Sequence, residues 1–146
     1  DLPYDADLQT IILNTEIAAG IEIPDARYKD WFPNFTLGDL ICDDTATGLI
    51  VVGNKVDPLD IDAFAHVQLN LYKDEELITT GDSSEVLGNP LNAVLWLIKK
   101  LHSHGKQIKK GQVISSGTFI SPLKLEYGTY RAEYSGIGTV EFKVSK

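Results

Sequence analysis

Gly20-Ile21-Glu22-Ile23-Pro24-Asp25-Ala26-Arg27-Tyr28-Lys29-Asp30-Trp31 places one acid, Glu22, between two isoleucines in a run that reads as a strand. Strand side chains alternate between faces, so Glu22 shares a side with Pro24 and Ala26, and Ile21, Ile23, Asp25 and Arg27 share the other. A carboxylate flanked this way has two readings. It is either a sheet-edge Glu that is solvated or paired with a lysine, or a metal- or proton-handling group held on a rigid element. Asp25 and Arg27, on the opposite face, read as a structural ion pair.

On the N-terminal side, Asp5 or Asp7 can cap a helix carrying Leu8, Ile11, Ile12 and Thr15 at helical spacing, with Gly20 as its stop. Downstream, Tyr28 to Thr47 loses periodicity and reads as a long loop, with Trp31, Phe32, Pro33 and Phe35 followed by the polar cluster Asp43 to Thr47. Leu49-Ile50-Val51-Val52, between Gly48 and Gly53, reads as a strand buried on both faces. Val67, Leu69 and Leu71 alternate with polar residues, Asp74-Glu75-Glu76 turns the chain, and Leu77 to Thr80 returns it as a hairpin.

Asn89 and Pro90 open the clearest helix, whose stripe Leu91, Val94, Leu95, Ile98 and Leu101 runs to Gly105. Gln112 to Thr118 reads as a strand ending in small polar residues. Tyr130, Ala132 and Tyr134 and then Val140, Phe142 and Val144 form a closing hairpin around Ser135 to Gly138. Six or seven strands, one long helix and one short one give an α+β fold with a mostly antiparallel or mixed sheet.

The 146 residues fit one domain, 43% hydrophobic and 23% charged. A net charge of -8 argues against a nucleic-acid partner, because phosphate binding needs a basic surface. One cysteine, Cys42, forms no internal disulfide and suits a reducing compartment. With no apolar run of membrane-span length and no leader pattern, the expected location is cytoplasmic, away from any membrane. The chain has no methionine, even at position 1, and reads as one whose beginning lies upstream.

Other chemistries find little support. His102 and His104 are two apart on a helix and point about 200° apart, so they cannot share a metal. Asp57, Asp60 and Asp62 lack the glycine and closing glutamate of a calcium loop. Gly136 and Gly138 precede no helix, and Ser116 lacks a hydrolase elbow. What remains is Glu22, the polar loop at 43–47 and the strand end at 115–118.

Four segments, Ile21 to Tyr28, Cys42 to Gly48, Leu87 to Leu97 and Gly111 to Thr118, together resemble the 2-keto-4-pentenoate hydratase and 2-oxohepta-3-ene-1,7-dioate hydratase group of the fumarylacetoacetate hydrolase superfamily. The resemblance implies an α+β mixed β-roll or sandwich, with the long helix packed on the sheet, as a single C-terminal-type domain over 1–146 that lacks an upstream segment. It further implies a cytoplasmic lyase that holds Mg²⁺ or Mn²⁺ with three carboxylates, Glu22 taking the place of the third and an upstream Glu-x-Glu supplying the others. The substrate is then a small 2-oxo or 2-hydroxy dienoic acid, 2-hydroxypenta-2,4-dienoate or an analogue from aromatic catabolism. The cation stabilises the enolate that forms as the dienol is protonated, and water adds at C4.

By the same resemblance Asp43, Thr45, Thr47 and Thr118 bind substrate. The family's Asp-Asn-Ala-Ser-Ser-Gly loop has a serine where Ala46 stands, so Thr45 or Thr47 would take over its role. Two alternatives stay open: a 2-oxo-3-enedioate (4-oxalocrotonate) decarboxylase of the same family, and a truncated, non-catalytic module. The resemblance leaves homo-oligomerisation open. The chain without the upstream carboxylates is expected to be inactive on its own.

Overall fold

The computed structural model describes residues 1–25, 27–30 and 34–146. Ala26, Trp31, Phe32 and Pro33, named in the sequence reading, lie outside them. Asp7 is the residue that caps the first helix, α1 (Leu8–Leu13), its carboxylate accepting from the Thr10 amide at 2.7 Å. The helix ends at Asn14, well before Gly20. Asn14 Nδ2 and Thr15 Oγ1 donate to the Thr10 and Ile11 carbonyls, closing the last turn so that the β-branched residues beyond it can extend.

Strand β1 (Ile17–Ile23) therefore contains Gly20 and pairs antiparallel with β2 (Leu49–Val56), with Glu22 opposite Ile50. The apolar run in β2 is not buried on both faces. Leu49 is 72% exposed, and Ile50 and Val52 are also open, because β1 and β2 form a two-stranded sheet of their own.

Within the expected loop stands a short helix, α2 (Leu37–Cys42), started by a reciprocal capping box between Thr36 and Asp39. Four strands make the second sheet: β3 (Gln68–Lys73), β4 (Glu76–Asp82), β5 (Gly128–Tyr134) and β6 (Gly138–Val144), in the order β4-β3-β5-β6. The β3–β4 turn uses positive φ at Asp74 and Glu75, and the Asp74 carboxylate accepts from the Thr129 amide at 2.8 Å. All pairings among the described residues are antiparallel, so the sheets are antiparallel rather than mixed. Residues 112–118 form neither helix nor strand, which corrects the strand expected there.

The long helix, α3 (Pro90–Ser103), starts where the Asn89 side chain accepts from the Leu91 amide and donates to the Ile61 carbonyl. Its buried stripe, Leu91, Val94 and Ile98, packs with Leu2, Ala6, Ile11, Phe64 and Ile108. The helix therefore rests chiefly on α1 and the N-terminal segment, reaching a strand through Ile17, instead of lying across a sheet. Each such aliphatic side chain contributes about 1.5–3 kcal/mol on full burial.

A second core joins the two sheets: Ala19 of β1 meets Leu69, Leu71, Ala132 and Val140. The β1–β2 register shifts between Ala18 and Gly20, and opposite this bulge Gly53 lets β2 approach β6. A Cβ on Gly53 would lie 2.8 Å from the Thr139 carbonyl oxygen and 3.3 Å from that of Ala19.

Candidate functional site

The bulge and the docking of β1 on β5 and β6 leave Glu22 on an exposed stretch of strand, facing an open groove of about 2000 Å³. Ile21, Ile23, Thr47, Thr118, Phe119 and Ile120 are among its lining residues, and Ile21, Phe119 and Ile120 also pack against the second core. Glu22, Thr47 and Thr118 all border this groove, which runs along much of the chain from Asp1 to Phe142. Asp43 and Thr45 are not among its lining residues.

Thr118 Oγ1 donates to the Ile120 carbonyl at 2.8 Å and accepts from the Ile120 amide, a local turn. Thr47 Oγ1 donates to the Asp44 carbonyl. A threonine hydroxyl has one proton to give, and here both are committed to backbone. A substrate oxygen would meet acceptor lone pairs and methyl groups unless it displaced a carbonyl. Thr45 Oγ1 is likewise bound to the Asp44 carbonyl, at 2.8 Å.

Asp43 has its side chain only 6% exposed and faces Arg27, whose Nη1 lies 3.4 Å from Oδ1. The Arg27 guanidinium also donates to the carbonyls of Asp25, Asp43 and Thr47. The ion pair expected between Arg27 and the Asp25 carboxylate is therefore replaced by one with Asp43, and Asp25 contributes its carbonyl. Between Asp43 and Thr47 three successive residues, Asp44, Thr45 and Ala46, hold φ near +55°, which costs non-glycine residues about 1 kcal/mol or more each. Arg27, together with the Asp25 amide on the Ala46 carbonyl at 2.9 Å, supplies bonds that hold this turn.

Tyr134, at the end of β5, is a groove residue that strand patterning does not single out. Its hydroxyl donates to the Gly20 carbonyl at 2.7 Å, and its ring meets Phe119 edge-on with centroids 5.6 Å apart. Burial, and next the negative charge of Glu22, push its phenol above the ordinary value. Alternation placed Tyr134 in the closing hairpin with Tyr130 and Ala132, and its partner 114 positions away carried no local signature.

Among the described residues no group of three or more His, Cys, Asp or Glu stands together as a metal site. One carboxylate from this set binds a hard divalent cation poorly, since such ions take several oxygen ligands. The donors present therefore do not by themselves form the cation site that the resemblance implies.

The fold is one that solved structures share. It superimposes on 4-oxalocrotonate decarboxylase from Pseudomonas putida G7, in complexes with calcium and acetate and with magnesium and adipate, at TM-scores of 0.77 and 0.75. Each covers 92% of this chain, at 22% identity. By sequence the chain is a relative of the 2-keto-4-pentenoate hydratases. It is 32% identical over 130 residues to the enzyme of that name from Paraburkholderia phymatum and 34% identical over 124 to that from Burkholderia vietnamiensis. These alignments cover 88% and 84% of the chain. A 2-oxo-hept-4-ene-1,7-dioate hydratase from Escherichia coli is 28% identical over 130 residues. The chain spans about half the length of these relatives, 48%, 46% and 48%. No protein-family model matches it.

Proposed function

We propose that the whole protein is a divalent-metal-dependent hydro-lyase that adds water to 2-hydroxypenta-2,4-dienoate or a close analogue, and that this chain forms one side of its active-site groove. The observation that carries the reading is the chain's similarity to the hydratases over most of its length, and Glu22, Thr47 and Thr118 all border the same open groove. The single C-terminal-type β-roll domain, with an upstream segment beyond it, belongs to the same proposal.

In this reading Glu22 offers one carboxylate to Mg²⁺ or Mn²⁺, and the remaining ligands come from outside the residues that meet here. Apolar residues of the groove, Ile23, Phe119 and Ile120 among them, suit a conjugated hydrocarbon chain. Asp43 and Thr45 act behind the rim with Arg27, setting the turn that presents Thr47.

The test is an assay of the full-length protein with Mg²⁺ on 2-hydroxypenta-2,4-dienoate, following loss of the dienol absorbance, with Glu22→Gln beside it. Turnover in the parent and a loss of at least about 100-fold in the variant are expected for a carboxylate at the reacting centre. Equal turnover in the two removes Glu22 from the chemistry and the proposal with it. The likeness in fold to the decarboxylase structures supports a second reading, loss of CO₂ from a 2-oxo-3-enedioate. CO₂ release from that substrate, without hydration of the dienoate, would favour it.

A further inference from the structure

The bond from Tyr134 to Gly20 joins the last residue of β5 in the four-stranded sheet to β1 in the two-stranded one. Gly20 follows the register shift directly and precedes Glu22 by two residues, so the two share a strand face. A two-stranded ribbon twists and slides more readily than a wider sheet. Glu22 and its partner Ile50 stand near the ribbon's outer end, where Leu49 and Ile50 are exposed and packing is thin. Inward of them, Ala19 is 2% exposed and held by the second core. Tyr134 is therefore a polar tie from that core to β1, two residues before Glu22, and Phe119, edge-on to its ring, restricts the phenol's swing.

We propose that Tyr134 is a positioning residue for the Glu22 carboxylate: its hydroxyl, bound to the Gly20 carbonyl, fixes β1 on the four-stranded sheet just after the bulge and so sets the direction in which Glu22 meets the groove. The inference rests on the groove being the active site. Tyr134 gives its proton to the Gly20 carbonyl and takes no part in the chemistry.

The experiment compares Tyr134→Phe and Glu22→Gln in the full-length protein, reading kcat, KM, amide hydrogen exchange over residues 17–23 and Tm. Tyr134→Phe removes one hydrogen bond while keeping the ring. It is expected to lower kcat about ten-fold with KM within about two-fold, and to speed exchange at residues 20–23 while that of Leu69 and Ala132 is unchanged. A lower Tm with unchanged kcat per folded molecule, or unchanged exchange in β1, overturns the proposal. If Glu22→Gln is as active as the parent, the groove reading falls, while the exchange data still decide whether Tyr134 holds β1. Should Tyr134→Phe not fold, Phe119→Leu keeps the phenol and frees its swing. Faster amide exchange at residues 20–23 is then expected, and unchanged exchange overturns the idea.

Discussion

Arg27 and Asp43 form a pair that spans the foot of the polar turn, with the guanidinium 3.4 Å from a carboxylate that is almost wholly covered while the arginine itself stays 58% exposed. The same guanidinium reaches the Asp43 and Thr47 carbonyls, so one side chain grips the turn at both ends. Lysine cannot make this set of bonds, because it has a single ammonium in place of a planar fork. Arg27→Lys is expected to cost no more than about 1 kcal/mol in overall stability, since the pair is partly solvated. Its larger effect is local: faster amide exchange at residues 44–47 and a raised KM in the full-length protein. Urea denaturation alongside exchange measurements separates the two, and unaltered exchange at 44–47 would show that the turn holds itself.

Acid sensitivity follows from carboxylates at helix and turn starts. Asp39 is held below its ordinary value of 3.8 by hydrogen bonds from the Thr36 amide and hydroxyl, and Asp7 and Asp82 are held below it by bonds from Thr10 and Ser84. For a depressed carboxylate, the stabilisation is complete above the unfolded-state value and is lost as pH falls through the folded-state one. Stability should therefore be level above about pH 5 and fall on acidification below about pH 4. Asp39→Asn and Asp7→Asn should each make that fall shallower, read as urea midpoints across the range. A fall of unchanged steepness would count against these caps as its source.

Gly53→Ala tests how closely the ribbon sits on β6. The added methyl would come within 2.8 Å of the Thr139 carbonyl oxygen, a backbone atom that cannot swing aside. Overpacking of this kind costs about 1–3 kcal/mol. Thermal or urea unfolding should show that loss, whereas Gly105→Ala, with open space around its Cβ, should show only the smaller cost of its left-handed backbone.

Asn89→Ala should destabilise the protein by about 1–2 kcal/mol, because the side chain both caps α3 and ties it to the Ile61 carbonyl. Ile11→Ala, at a site 1% exposed between α1 and α3, should cost about 2–5 kcal/mol through the cavity it leaves. Chemical denaturation of the two variants ranks them, and a reversed order would mean that the helix–helix core can collapse around the missing side chain.

Legibility followed the range over which each signal acts. The Asn89-Pro90 start, a cap at Asp5 or Asp7, the turn at Asp74-Glu75 and the closing hairpin were all readable, since capping and turn bonds join residues within a few positions. Helix α2 was readable too, from Thr36 and Asp39 at capping-box spacing, but was masked by the aromatic residues before it. Residues 112–118 have strand-like composition and no partner, and pairing is not a property of one segment. Of the candidate site, Glu22 was placed on its strand by alternation, whereas the roles of Arg27 toward Asp43 and of Tyr134 toward Gly20 were invisible.

The amino-acid order alone determined that a strand would carry a carboxylate between isoleucines, that a capped helix would follow residue 89, and which faces of the hairpins would be apolar. Those are outcomes of side-chain periodicity and of hydrogen bonds closed within one turn. Only the tertiary structure decided that β1 and β2 stand apart as a ribbon, that α3 rests on α1, and that Tyr134 reaches across 114 positions to the strand holding Glu22. Contacts of that span depend on the joint packing of both cores, which no local stretch encodes.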